Sequence, residues 1–193
     1  MLPAVARISS RLFLGSKLCR DPDWLRITTT YTHNIVRAVH EVNAWPFFLR
    51  RLVCRFLPGN KKLISQVEEA HRVMGKVLDE RRELKASGKS PEYIDAIEWF
   101  EQSANGRKYD PVNVQLTLSF VAIHTTSDLV TQVLFDLASH PEYIQPLRQE
   151  VIEVLGKYGW QKTSMYQLKL LDSVLKECQR LSPINTSKMS LAP

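Results

Sequence analysis

Between Asp110-Pro111 and His140-Pro141 the chain reads VNVQLTLSFVAIHTTSDLVTQVLFDLAS, with neither glycine nor proline. An aspartate ahead of a proline suits the first turn of a helix, and a residue ahead of a proline is turned away from helical geometry. The stretch therefore predicts one helix from Asp110 to His140, about 43 Å long at 1.5 Å per residue. Apolar residues fall on every side of it, which predicts burial on most faces. Near its middle stand His124, Thr125, Thr126, Ser127 and Asp128. Polar groups taken out of water need partners, so this knot needs either local hydrogen bonds or something to bind.

The rest of the chain is arranged around that rod. A length of 193 residues with 44% hydrophobic content suffices for one domain with a core. The net charge of +6 is spread among acid-rich helices rather than gathered on one stretch, which argues against a nucleic-acid partner. Cys19, Cys54 and Cys178 are unevenly spaced and give neither a disulfide framework nor a zinc pattern. No uninterrupted apolar run reaches bilayer-spanning length, and MLPAVARISSRLFLG lacks the cleavage site and long apolar core of a signal peptide.

Taken in order, residues 4–20 predict a helix broken at Gly15, and Asp21-Pro22 starts a second one. Residues 45–57 place Trp45, Phe48, Leu49, Leu52, Val53 and Phe56 at helical spacing, with Arg50, Arg51 and Arg55 elsewhere on the wheel. The simpler reading packs the aromatic face on the core; the other lays a basic aromatic helix on an anionic membrane. Lys61 to Lys85 predicts an amphipathic surface helix, and residues 88–109 a connector with a short helix around Ile94–Phe100. Pro141–Leu155 predicts a helix that starts late or kinks at Pro146 and ends at Gly156 and Gly159. Tyr166–Leu181 predicts another, with Leu168, Leu171, Val174, Leu175, Cys178 and Leu181 buried, followed by an extended tail INTSKMSLAP. No long alternating pattern occurs, so the fold class is mostly α.

Two constellations are chemically suggestive. Thr125 and Thr126 have hydroxyls that either bond back to carbonyls one turn earlier or face a cavity holding water or bound oxygen. His124 stands without the HxxxH or HExxH spacing of a metal site. Glu177 and Arg180, three apart, share a helix face and suit a charge-assisted bidentate pair, on the surface or buried beside the leucine-rich face.

In combination these segments resemble the cytochrome P450 superfamily of haem-thiolate monooxygenases. AIHTTSD at 122–128 is similar to the oxygen-binding segment of the family's central I helix, especially in fungal members. HPEYIQPLRQEV resembles its J helix, LKECQRLSP the ExxR end of its K helix, and SSRLFLG with LCRDPDWLRITTTYT the region before the substrate-covering helices. The resemblance implies a partial P450 domain over residues 1–193, running from before the F helix through the K helix.

It also implies roles. Ala122, Thr125 and Thr126 would lie over the distal face of a haem, with Thr125 as the threonine that helps deliver protons. His124 stands where the family usually has Asp or Glu, and an imidazole relays protons near neutral pH. Glu177 and Arg180 would brace the haem-binding core. The FxxGxxxCxG loop that carries the axial cysteine does not occur, and the N-terminal anchor and propionate-binding helix are missing too, so the expectation is an internal or truncated fragment, inactive alone and poorly soluble. For the full-length enzyme the resemblance implies haem, electrons from NADPH through a reductase, and an apolar, terpenoid-like secondary metabolite as substrate. It also implies the cytosolic face of the endoplasmic reticulum membrane. The alternative is a non-enzymatic helical interaction or membrane-surface module built on residues 45–56.

Overall fold

The computed structural model describes residues 1–88 and 93–183, and no strand occurs among them. The predicted extended tail at 184–193 lies outside the described residues. The chain divides into two compact units, Met1–His124 and Thr125–Pro193.

The first unit is assembled by α1 (Leu2–Leu18), α2 (Pro22–Asn43), α3 (Phe47–Val53), α4 (Pro58–Ala86), α5 (Ala96–Ala104) and the first half of α6 (Pro111–Ser139). Gly15 interrupts α1 as expected, with φ 76° and ψ −163°. That left-handed backbone favours glycine, and a Cβ there would also come within 3.0 Å of Asp95 Oδ2. Asp21 caps α2 by accepting the Trp24 N–H at 2.9 Å. The core gathers Leu14, Leu18, Trp24, Ile27, Ala70, Met74, Ile97, Val112 and Leu116. An inner polar link ties α2 to α4: Asn34 Nδ2 donates to Gln66 Oε1 at 2.7 Å, and Gln66 Nε2 donates to the Ile27 carbonyl at 3.0 Å. Both side chains are thereby satisfied inside the helix pair, as buried amides require.

The segment at 45–57 differs from the favoured expectation. Only Phe47–Val53 is α-helical, none of its residues is buried, and Phe47 and Phe48 are 86% and 78% exposed. Seven residues cannot carry an amphipathic face across a core, and Pro46 and Pro58 bound the stretch on either side. The aromatic face is turned to solvent. Arg81 is a second departure. It sits in register with Ala70, Met74 and Val77 on the apolar side of α4 and forms a buried bidentate pair with Asp95, at 3.0 and 2.5 Å.

The second unit contains the rest of α6, a 3₁₀ turn at Pro141–Tyr143, α7 (Ile144–Tyr158), α8 (Lys162–Met165) and α9 (Lys169–Leu181). The 3₁₀ turn absorbs the strain of Pro146 by delaying α7 to Ile144, so that this proline falls in the first turn of the α-helix. Gly156 lies inside α7, and the helix stops at Gly159, whose φ is 69°. Leu168 and Cys178 are buried as expected, whereas Leu181 is 62% exposed.

The central helix has the predicted bounds but not the predicted burial. Val121, Leu134 and Phe135 are 54%, 50% and 66% exposed. By length and composition α6 is also apolar enough to cross a membrane, contrary to the reading from uninterrupted runs, with 22% of its most apolar window buried. The difference is arithmetic: threonine and serine break a run without lowering mean hydropathy as charges do.

Candidate functional site

The Asp110 carboxylate opens α6. Its Oδ1 accepts the Val112 N–H at 3.0 Å, and its Oδ2 pairs with His71 Nε2 of α4 at 3.2 Å. From Gln115 to Ser127 every fourth residue is buried: Gln115, Ser119, Ile123 and Ser127. Three of the four are polar. Gln115 Oε1, His124 Nε2 and Ser127 Oγ are buried atoms without a hydrogen-bond partner among the described residues. A buried acceptor or hydroxyl left so is costly, and water is the partner most suited to polar sites of this kind.

Ala122 and Thr125, one turn apart, share a face and are both half-buried, while Thr126 and Asp128 are exposed. His124 closes the first compact unit and Thr125 opens the second. Back-bonding of hydroxyls does occur along this helix, from Thr117 to the Asn113 carbonyl at 2.8 Å and from Thr131 to the Ser127 carbonyl at 2.7 Å.

Glu177 and Arg180 form the bidentate pair their spacing suggested, with Arg180 Nε to Oε2 at 2.8 Å and Nη2 to Oε1 at 2.6 Å. The pair is exposed rather than buried, the two side chains being 55% and 66% accessible. The guanidinium hydrogen bond holds the Glu177 carboxyl below the ordinary range, and the carboxylate raises the Arg180 pKa. The helix carrying them follows Leu168, which has no capping side chain. The cap comes from α7 instead: Glu150 accepts the Leu170 and Leu171 N–H groups at 2.7 and 2.9 Å. Sequence reasoning missed this residue. A helix start without Ser, Thr, Asp or Asn was the available signal, since such a start leaves N–H groups to be met from elsewhere.

Beside α9, the Asp136–Cys178 neighbourhood lines a cleft of about 540 Å³ with Leu137, His140, Val174 and Glu177. Burial, and then the Asp136 carboxylate, push the Cys178 thiol up to about 11. It is a protonated structural thiol. Cys19 and Cys54 sit at helix ends and donate to the carbonyls of Ser16 at 3.4 Å and Arg51 at 3.2 Å. The ligand of a haem-thiolate centre is a deprotonated cysteine, and a buried thiol raised as Cys178 is does not suit that place. Nor does any group of three metal-ligating side chains occur among the described residues.

Comparison with known proteins agrees over nearly the whole chain. The family model for cytochrome P450 matches residues 3–190. Cytochrome P450 monooxygenase 1 of Gibberella fujikuroi is 50% identical over 191 residues, covering 96% of this chain and 43% of the relative. Cytochrome P450 monooxygenase hepE of Aspergillus oryzae is 51% identical over 195 residues, covering 97% and 36%. Cytochrome P450 monooxygenase esdpI of Penicillium shearii is 47% identical over 193 residues, covering 98% and 38%. The chain thus spans about two fifths of the length of the curated relatives it matches. No solved structure matches it.

Proposed function

The chain belongs to the cytochrome P450 family, and we propose that it is one segment of a haem-dependent monooxygenase that inserts one atom of dioxygen into a small apolar substrate. The observation that carries this reading is the match of residues 3–190 to the cytochrome P450 family model, with a fungal monooxygenase 50% identical over 96% of the chain. Bound haem would supply the activation of dioxygen, and its axial cysteine would come from residues other than those described here.

The chain's own contribution is the polar centre of α6. The Thr125 hydroxyl holds a hydrogen-bonded water at the substrate face, and Ala122 leaves room beside it. His124, whose buried Nε2 has no partner among the described residues, exchanges a proton with such a water. Glu177 and Arg180 brace α9 against the cofactor-binding core. The reading extends to haem loading, electrons from NADPH through a reductase, and a cytosolic face on the endoplasmic reticulum membrane. The similarity of AIHTTSD at 122–128 to fungal members of the family supports a terpenoid-like secondary metabolite as substrate.

Expression of the longer reading frame with a reductase tests this. The reduced protein exposed to carbon monoxide should show the shifted Soret band of a haem-thiolate centre. Thr125→Ala should lower product formation on the order of 10²-fold, the scale of a lost proton-transfer group. Absence of the shifted band, or full turnover by the variant, would reject the reading.

A second reading concerns surface rather than chemistry, and the exposure of α3 favours it. Phe47, Phe48, Leu52 and Phe56 are 64–86% exposed, with Arg51 and Arg55 beside them. That face suits the interface of an anionic bilayer. Co-sedimentation with anionic vesicles should fall when Arg51 and Arg55 become Glu; no binding by the parent chain would reject it.

A further inference from the structure

The stretch Trp45–Leu57 buries none of its helical residues, and a helix as short as Phe47–Val53 has no stability of its own. Its pose must therefore be set where it joins its neighbours. At the α2 end, Arg50 folds back so that Nε donates to the Trp45 carbonyl at 2.9 Å and Nη2 to the Asn43 carbonyl at 3.3 Å. These are carbonyls at a helix C-terminus, where a cation is favoured. At the α4 end, Asn60 Nδ2 donates to the Cys54 carbonyl at 2.7 Å.

One contact joins the two helices directly across the base of the strap. α4 begins after Leu57, which has no capping side chain. The cap arrives from α2: Glu41 Oε2 accepts the Gly59 N–H at 2.7 Å, while Glu41 Oε1 accepts from Arg37 Nε at 2.9 Å. A carboxylate at a helix N-terminus is favoured by both the free N–H groups and the helix dipole. Gly59 is what admits it. A Cβ at that position would stand 2.5 Å from Glu41 Oε2 and 2.8 Å from its Cδ. A methyl group there would have to push the end of the Glu41 side chain away from the Gly59 N–H, while the backbone itself is ordinary.

We infer that Glu41 is a positioning residue, a latch that holds the base of the strap Trp45–Leu57 closed and so fixes where its aromatic face points. Releasing it frees the strap without dismantling the helix pair, because α2 and α4 are held separately by the Asn34–Gln66 link and by Trp24, Ile27, Ala70 and Met74.

Hydrogen exchange on the full 193-residue chain tests it, with Glu41→Ala, Glu41→Gln and Gly59→Ala. Glu41→Ala and Gly59→Ala should each speed exchange of the amides at 47–61 roughly tenfold or more, the effect of losing a charge-assisted bond. Tryptic cleavage after Arg51 and Arg55 should rise in parallel, while amides around Ala70–Met74 keep their protection. Glu41→Gln retains an acceptor oxygen for the Gly59 N–H and should restore most of the protection. Gly59→Ala is the sharper arm, since alanine ordinarily strengthens a helix. Unchanged exchange at 47–61 in both disruptive variants would overturn the latch. So would a uniform rise across α2 and α4, or slower exchange in Gly59→Ala.

Discussion

At the residue scale the costliest contact is the Arg81–Asp95 pair. Its side chains are 9% and 3% accessible, Tyr93 lies over the guanidinium at 4.0 Å, and Asp95 also caps α5 through the Glu98 N–H. Removing one member leaves the other charged and buried, which costs about 3–5 kcal/mol. Asp95→Ala should therefore lower the urea midpoint by an amount matching that range, whereas Asp79→Ala, whose partner Arg82 is exposed, should change little. Equal effects from the two would refute the assignment. The register of Arg81 with Ala70, Met74 and Val77 was visible in the sequence; its partner, fourteen residues away beyond a loop, was not. Cys178 gives a pH prediction. Its thiol titrates near 11 against an ordinary value of 9.0, so the folded state holds the proton more tightly than the unfolded chain. The resulting stabilisation is complete below the unfolded pKa and lost as pH rises through the folded one. Between those values the parent should lose more stability with rising pH than Cys178→Ala. Parallel curves for the two would show that burial does not hold this proton.

At the scale of elements, sequence reasoning did well where local chemistry decides. Proline, aspartate and the absence of glycine fixed the bounds of α6, and Asp21-Pro22 those of α2. It failed where a helix depends on a distant group. Both α4 and α9 start after a leucine and are capped from another helix, by Glu41 and Glu150 respectively. No period or local motif carries that information. For the candidate site, the positions of Ala122, Thr125, Glu177 and Arg180 on their helices followed from spacing, but the exposure of the ion pair did not, because accessibility depends on neighbours. Glu150 yields a test of α9. Glu150→Ala should cost about 1–2 kcal/mol, the scale of a lost cap, and should remove exchange protection at Leu170 and Leu171. Protection that survives the substitution would mean that packing alone positions α9.

At the scale of the molecule the two compact units are unequally built. The first has a continuous core around Trp24, Ile27, Met74 and Leu116, all with 0% exposure. In the second, the buried apolar side chains are Val133, Leu147, Leu168 and Cys178, among described residues. Hydrophobic stabilisation scales with apolar area removed from water, so the second unit should open at lower denaturant. The tryptophans separate the two events. Trp24 is fully buried in the first unit, while Trp45, Trp99 and Trp160 are 42%, 45% and 89% exposed, so a red shift in fluorescence reports mainly the first core. Far-UV circular dichroism weighs the helices of both units. Under urea the helical signal should begin to fall before the fluorescence shifts, giving two transitions that do not coincide. Phe135→Ser, on the exposed face of α6, should change the stability read from either transition by no more than about 0.5 kcal/mol, as a surface substitution does. It should also lessen self-association by removing a large exposed apolar side chain. Superimposable unfolding curves would show instead that the second unit draws its stability from the same cooperative core as the first.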